Sequence, residues 1–375
     1  MELKIGSLDI NRFRALRQLR IEGLGRVNLL TGRNNTGKSS VLEAVRILAS
    51  DASLSVIHQI LRFREESIEG RDDSADSVDT EEAFQFSSLF HGFPRFSAEV
   101  RPILIASSGG QRPMKLSIET AWFSEERVPG EPRKLTPLQP TLFGEREAVP
   151  ALVVETMGGR RIIRLDKWRR GAYRGGPIGS ELVNESRVPC VFVSPYGGER
   201  TATLGPLWDS IALSDQEQDV VDALRIIDPE ILAVSMVGGE GPLRSRTAIV
   251  RTAGVARPVP LRSSGDGLNR LFGIALSLVN AKNGLLLIDE FENGMHYTVQ
   301  ADVWRAIFRI ASRLDIQVVA TSHSWDAIEA FQEAASETPE EGVLIRLSRR
   351  GEEVIPTVFR EDELEIATRD RIEVR

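Results

Sequence analysis

The chain is predicted to be an α/β protein built on a mostly parallel sheet, and three observations lead to that expectation. A buried-looking strand at residues 27–31 runs through a glycine-containing loop into a helix at 38–49. After Pro189, short apolar strands alternate with helices, which is how a parallel sheet with crossover helices is written in sequence. Between these two regions the pattern alternates apolar and polar residues, which predicts antiparallel strands.

Residues 4–10 and 16–21 alternate around a basic turn and predict a hairpin. From 51 to about 188 the pattern is irregular and is expected to be an insertion. Its segment 65–82 carries nine carboxylates and few apolar anchors, which predicts a mobile loop. Residues 96–105, 114–122 and 151–165 predict strands, the last stretch folding back at Gly158-Gly159, so the insertion should hold an antiparallel β subdomain beside an irregular or helical region. Beyond it come a strand at 191–194, helices at 206–227 and 267–280, a strand at 285–289, a helix at 298–313, a strand at 316–321, a helix at 325–335, and strands at 343–347 and 354–359. The expected organisation is a split domain, 1–50 with 186–375, interrupted by 51–185. No internal repeat is evident.

A chain of 375 residues exceeds the usual size of one compact unit, which fits one main domain with a large insertion. The net charge of −7 excludes a protein coated with nucleic-acid-binding basic surface, although a local basic patch is compatible with it. Cys190 is the only cysteine, so no intramolecular disulfide can form. The N-terminus lacks the basic-then-apolar run of a signal peptide, and the longest apolar stretch, 271–279, is about half of what a spanning helix requires. A cytoplasmic protein without a membrane segment is expected.

Gly32-Arg33-Asn34-Asn35-Thr36-Gly37-Lys38-Ser39 matches the phosphate-loop pattern and sits where that pattern must, after a strand and at the opening of a helix. Glycines let backbone N–H groups converge on a phosphate, and the helix N-terminus adds positive potential there. Lys38 would reach the β- and γ-phosphates of ATP, and the Ser39 hydroxyl would ligate Mg²⁺. Gly32, Asn34, Asn35, Thr36, Gly37, Lys38, Ser39 and Ser40 are the expected nucleotide-binding residues.

Leu285-Leu286-Leu287-Ile288-Asp289-Glu290 is an apolar strand that delivers two acids to a sheet edge. Asp289 is expected to hold Mg²⁺, and Glu290 to polarise the attacking water as general base. A second strand, 316–321, leads to His323, placed to contact the γ-phosphate. His58, His91 and His296 show no metal-ligand spacing, so no metal beyond Mg²⁺ is expected. Arg262-Ser263-Ser264-Gly265-Asp266-Gly267 opens an apolar helix and offers a second anion-binding helix start.

The order of phosphate loop, Ser-Gly-Asp-Gly helix start, Asp-Glu strand and strand-end histidine resembles the ABC-type ATPase heads of the RecF, SMC and OLD (overcoming lysogenization defect) families. The nearest likeness in pattern is to stand-alone OLD-like proteins, often called AAA family ATPases. Asn34 within the phosphate loop is similar to theirs, and Phe291-Glu292-Asn293-Gly294-Met295-His296 resembles the Glu-x-x-x-His stretch after their acidic strand. The resemblance covers about residues 1–50 and 186–350. It implies the P-loop NTPase fold and a homodimer in which Ser264, Gly265 and Gly267 of one subunit complete the ATP site of the other. The helix start lacks the leucine and the glutamine or glutamate of the usual ABC signature, and Phe291 stands where a proline is common.

OLD-family proteins often continue into a TOPRIM nuclease domain, whereas about fifty residues follow His323 here. The output is therefore expected to pass to a partner protein, such as a separately encoded TOPRIM-type nuclease in DNA repair or anti-phage defence. An alternative is an ATP-gated DNA clamp. Its candidate surface is the stretch with Arg160, Arg161, Arg164, Lys167, Arg169, Arg170 and Arg174, interleaved with Trp168 and Tyr173. A nucleotide-binding scaffold with negligible turnover is the third reading, disfavoured by Glu290.

Overall fold

The computed structural model describes residues 2–64, 86–94, 100–126, 134–138, 148–165, 188–195, 201–238, 246–338 and 341–370. The predicted hairpin is β1 (Ser7–Phe13) and β2 (Leu16–Glu22), and β3 (Val27–Thr31) leads into α1 (Lys38–Ala49). Helix α2 (Leu54–Phe63) follows, then β4 (Ile103–Ser107), β5 (Met114–Glu126), β6 (Lys134–Pro137), β7 (Ala148–Thr156), β8 (Gly159–Arg164) and β9 (Cys190–Val193). Next are α3 (Thr201–Asp209), α4 (Asp215–Leu224), β10 (Ile231–Val237), β11 (Thr247–Thr252) and β12 (Val259–Pro260). A 3₁₀ turn (Leu261–Ser264) then enters α5 (Asp266–Asn280). The chain closes with β13 (Leu285–Ile288), α6 (Tyr297–Leu314), β14 (Gln317–Thr321), α7 (Trp325–Ala335), β15 (Gly342–Arg350), β16 (Glu353–Phe359) and α8 (Glu361–Arg369).

The core sheet runs β16-β15-β3-β14-β13-β9, parallel throughout except for the β15–β16 hairpin at its edge. Every residue of β3, β13 and β14 is buried, as expected of strands covered on both faces. Alternation then sorts their side chains. Leu286, Ile288, Val318 and Ala320 join the core made with helices α3 to α8, whereas Leu285, Leu287 and Val319 join a second core on the other face. That second core holds α1, which packs between the parallel sheet and an antiparallel one and buries nine of its twelve residues.

The antiparallel sheet, ordered β2-β1-β4-β5-β7-β8 with β6 beside β5, begins in the N-terminal hairpin: Asp9, Ile10 and Asn11 of β1 pair with β4. Strands β4 to β8 therefore continue a sheet that starts before the phosphate loop. A buried ion pair, Arg14 with Glu43 at 2.5 Å, and Arg64 with Glu43 at 2.7 Å, tie the hairpin turn and the end of α2 to α1. The acidic segment 65–82 lies outside the described residues.

Two expectations are corrected. The single helix foreseen at 206–227 is two, α3 and α4, because Leu213 adopts a left-handed backbone (φ 63°) and its N–H is accepted by Glu217 at 2.9 Å, starting a new helix. Residues 231–237, 247–252 and 259–260, to which no element was assigned, form a small sheet, β10-β11-β12, over α4 and the 3₁₀ turn. A register shift between Ile231 and Ala233 breaks the alternation that would have revealed it.

Gln317, 2% exposed, opens β14 and closes four hydrogen bonds. Its Oε1 accepts from the N–H of Lys4 (3.0 Å) and of Ile5 (2.8 Å), and its Nε2 donates to the carbonyls of Ile5 (2.7 Å) and Gly25 (2.8 Å). Gln317→Leu keeps the volume and strands those buried backbone groups, so urea denaturation should show a loss of roughly 3 kcal/mol. Nearby, Asp315 accepts from Lys4 at 2.6 Å and lies 3.5 Å from Arg26. The hydrogen bond from Lys4, then its charge and Arg26, hold the Asp315 carboxyl below the usual aspartate range against partial desolvation. A depressed folded-state pKa contributes stability above the unfolded value that is lost as pH falls through the folded one. Asp315→Asn, which tolerates the left-handed backbone there (φ 54°), should cost about 1 kcal/mol at pH 7 after solvent screening. The gap to wild type in thermal melts should close as pH drops below about 4.

Candidate active site

The phosphate loop is shaped by Gly37, the N-cap of α1, whose left-handed φ of 91° excludes most side chains. A Cβ there would also stand 2.7 Å from the Leu16 side chain of the hairpin. Lys38, the first residue of α1, folds back over the loop and donates to the carbonyls of Gly32 (2.6 Å) and Arg33 (3.1 Å). Burial pulls its ammonium below the usual lysine range, while Asp289, then Glu292 and Glu290, oppose that shift. Thr36 is buried and donates its hydroxyl to Arg33, and Ser40 is buried in α1, whereas Asn34 and Asn35 are exposed at the loop's tip.

Strand β13 delivers its two acids at the edge where β3 ends. Asp289 is buried, and its Oδ1 accepts from the Thr321 hydroxyl at 2.6 Å and from the Ser39 hydroxyl at 3.2 Å. Thr321 Oγ1 in turn accepts the N–H of Glu290 at 2.8 Å. Neighbouring corners of a magnesium octahedron with bonds of about 2.0–2.1 Å lie roughly 3 Å apart, so Ser39 and Asp289 are spaced to hold Mg²⁺ between them. One carboxylate and one hydroxyl are a suitable protein donor set for this ion, since nucleotide phosphates and water complete it. Among the described residues no group of three His, Cys, Asp or Glu side chains could hold a metal by itself.

Glu290 sits in the left-handed region (φ 49°), so the chain turns sharply at the strand end. Three contacts hold that turn. Asn293 Nδ2 donates to Glu290 Oε2 at 2.5 Å and to the Pro195 carbonyl at 3.0 Å. Arg270, 2% exposed in α5, donates to the carbonyls of Asp289 (2.9 Å), Glu290 (3.0 Å) and Ser194. Phe291 is fully buried and stacks on Trp304 at 4.0 Å between ring centroids, which anchors the segment following the acids. Arg270, Thr321 and Asn293 were not singled out in the sequence. A lone cation within the apolar run of α5 was the available signal for Arg270.

His323 follows β14 at the same edge. Its N–H donates to Glu292 Oε1 at 3.0 Å, and its Nδ1 lies 3.2 Å from the same oxygen. The fold thus gathers Lys38, Ser39, Asp289, Glu290 and His323 around one sheet edge. Ser264 and Gly265 are exposed before α5, and no hydrogen bond joins Ser264 to the phosphate loop among the described residues. Gly267 abuts the loop after the acids, where a Cβ would stand 2.9 Å from the Gly294 carbonyl oxygen. His296 caps α6 through Thr298.

The basic stretch is partly engaged within the chain. Arg164 donates to both carboxylate oxygens of Glu125 (3.0 and 3.3 Å), Arg161 contacts Asp51, and Arg160 lies 3.7 Å from Glu155. Lys167, Arg169, Arg170 and Arg174 lie outside the described residues. Among the described residues no helix is long and apolar enough to cross a membrane.

Residues 198–328 match a family described as "AAA domain, putative AbiEii toxin, Type IV TA system". A protein named ATP/GTP phosphatase from Helicobacter pylori is 23% identical over 96% of this chain and 97% of its own length. Two uncharacterised proteins of Methanocaldococcus jannaschii also match. MJECL11 is 33% identical over 25% of this chain and 82% of its own length. MJECL10 is 41% identical over 16% of this chain, but the match spans 27% of that protein. Among solved structures, an SMC head bound to the C-winged helix domain of ScpA superimposes with a TM-score of 0.50 at 11% identity, over 96% of this chain and 98% of its own. The phosphate-loop pattern, the acidic strand and the strand-end histidine thus lie on a fold similar to that of an SMC head, and residues 198–328 carry the AAA-domain match.

Proposed function

We propose that the chain hydrolyses ATP to ADP and phosphate with Mg²⁺, in a homodimer whose two sites are each shared between subunits. The observation that carries the reading is the Ser39–Asp289 contact, a hydroxyl and a carboxylate 250 residues apart at 3.2 Å, beside Lys38 and Glu290. Lys38 leaves its loop carbonyls for the β- and γ-phosphates, whose charge outcompetes neutral acceptors. Ser39 and Asp289 would hold Mg²⁺, which would neutralise charge on the phosphates. Glu290 takes a proton from water as its oxygen attacks the γ-phosphorus, the bond to the β,γ-bridging oxygen breaks, and ADP and phosphate leave. Asn293 keeps the Glu290 carboxylate in place, and His323 contacts the γ-phosphate.

The shared site follows from the family resemblance: Ser264 and Gly265 are exposed at a helix start, with Gly267 half-buried beside them, where they can meet a phosphate held by another subunit. Gly267 packs against Gly294, three residues beyond Phe291, which joins the helix start of one site to the segment that follows the acids of the other. The likeness to an SMC head in complex with ScpA supports a protein partner as the output. We place a separately encoded TOPRIM-type nuclease first among such partners, acting in DNA repair or anti-phage defence within the cytoplasm. DNA bound through the Arg160–Arg174 stretch is the alternative.

Lys38→Ala should abolish nucleotide binding in a fluorescent-nucleotide titration. Glu290→Gln keeps shape and hydrogen bonding but removes the base, so turnover should fall by about 100-fold or more while ATP stays bound and stabilises a dimer in light scattering. Unchanged turnover in Glu290→Gln would assign the base elsewhere.

Shared sites have a separate signature. Lys38→Ala and Ser264→Arg homodimers should each be inactive, because neither has an intact site. Mixing them, with subunit exchange verified by tags, places the intact phosphate loop of one against the intact helix start of the other and should restore part of the ATPase. If exchange occurs and neither hydrolysis nor ATP-dependent dimerisation returns, the sites are not shared.

A further inference from the structure

We propose that Glu292 is the positioning residue of His323: its carboxylate fixes the proton on Nδ1 and leaves Nε2 to meet the γ-phosphate and the attacking water. This rests on the ATPase reading above and deepens it.

The geometry comes from two strand ends. Glu292 follows β13 and His323 follows β14, neighbouring strands in the core sheet. One oxygen, Oε1, faces both the N–H of His323 at 3.0 Å and its ring Nδ1 at 3.2 Å. A carboxylate can only accept, so the nitrogen directed at it must carry the hydrogen. An oxygen bonded to the peptide N–H and lying 3.2 Å from the ring nitrogen is placed to bias the side chain's rotation as well as its tautomer, which is how a carboxylate orients histidine in metal sites and hydrolytic triads. The exposures fit an anchor beneath a working group: the Glu292 side chain is 10% exposed and that of His323 48%.

The rest of the Glu292 carboxylate explains why an acid stands here. Its Oε2 is shielded from solvent and accepts no hydrogen bond among the described residues, a costly arrangement for a charge unless a ligand or a neighbouring cation repays it. The cation at hand is Lys38, on which Glu292 acts more strongly than Glu290 does and less strongly than Asp289. When Lys38 moves to phosphates, the same carboxylate continues to hold the His323 N–H. A neutral residue could cap the His323 N–H equally well, but it would not direct the ring so strongly.

The first test needs no turnover. The chain has four histidines, so selective ¹⁵N-histidine labelling with His323→Ala for assignment resolves the His323 ring by NMR. At a pH where the ring is neutral, wild type should show the Nδ1–H tautomer, and Glu292→Ala should revert to the Nε2–H form that predominates in water. An Nε2–H ring in wild type overturns the proposal.

The second test is kinetic. Glu292→Ala should lower kcat by about 10–100-fold with KM for ATP changed by less than about threefold, Glu292→Gln should fall between it and wild type, and adding His323→Ala should lower kcat no further. Multiplying losses in the double variant, or wild-type kcat in Glu292→Ala, overturn it. If Glu292→Ala does not fold, Glu292→Gln with and without His323→Ala carries the same comparison. Full turnover in His323→Ala removes the γ-phosphate role of His323 and this proposal with it. A wild type that does not hydrolyse ATP removes the ATPase reading instead, and the NMR result still decides whether Glu292 sets the ring.

Discussion

One oxygen organises this protein. Asp289 Oδ1 accepts a hydroxyl from Thr321 on the neighbouring strand and another from Ser39 at the start of α1, and these bonds tie three separate segments to one point. Thr321 passes the constraint on by accepting the Glu290 N–H, and the left-handed turn at Glu290 then sets the direction of the chain through Phe291 and Glu292. Burial gives the contact its weight, since around a nearly inaccessible carboxylate each lost partner would expose a charge to a low-dielectric surrounding. The parallel strands β3, β14 and β13 end together, so the phosphate loop, the acids and the histidine all emerge where such sheets place their ligands.

The turn after the acids is braced from behind by a buried cation. Arg270 reaches from α5 to three carbonyls just beyond two neighbouring strand ends, those of Ser194, Asp289 and Glu290, and so joins the helix that begins at the exposed Ser264 segment to the backbone of the acidic pair. A guanidinium suits this place because its donors fan out in a plane and can satisfy several carbonyls at once. Beneath it, Phe291 on Trp304, and Trp304 edge-on to Phe331, fill the core and keep the turn from relaxing. Phe291, where the families that the sequence resembles commonly carry proline, thus anchors the turn by a buried ring.

The parts of this architecture that were readable beforehand are those written in short windows. The strand at 27–31, the helix at 38–49 and the helix at 325–335 were placed to the residue, because each has an apolar period and a clear boundary. The hairpin was likewise visible. Helix α2 and the small sheet β10-β11-β12 were not: the first is a ten-residue amphipathic segment leading into a long acidic run, and the second has its alternation broken near Ile231. The helix break at Leu213 depended on a left-handed residue that carries no glycine to announce it.

Sequence by itself determined the chemistry available: Lys38 and Ser39 in a loop of phosphate-binding pattern, Asp289 and Glu290 at the end of an apolar strand, and His323 at the end of another. Local patterns carry these because a turn, a helix start or a buried strand restricts its own few residues. Only the tertiary structure decided who touches whom. Sheet order puts β14 between β3 and β13, and from that single fact follow the Thr321–Asp289 bond, the Glu292–His323 pair and the four bonds of Gln317 to the N-terminal segment. Strand order depends on which buried faces pack together across the whole chain, and no window of periodicity contains that information.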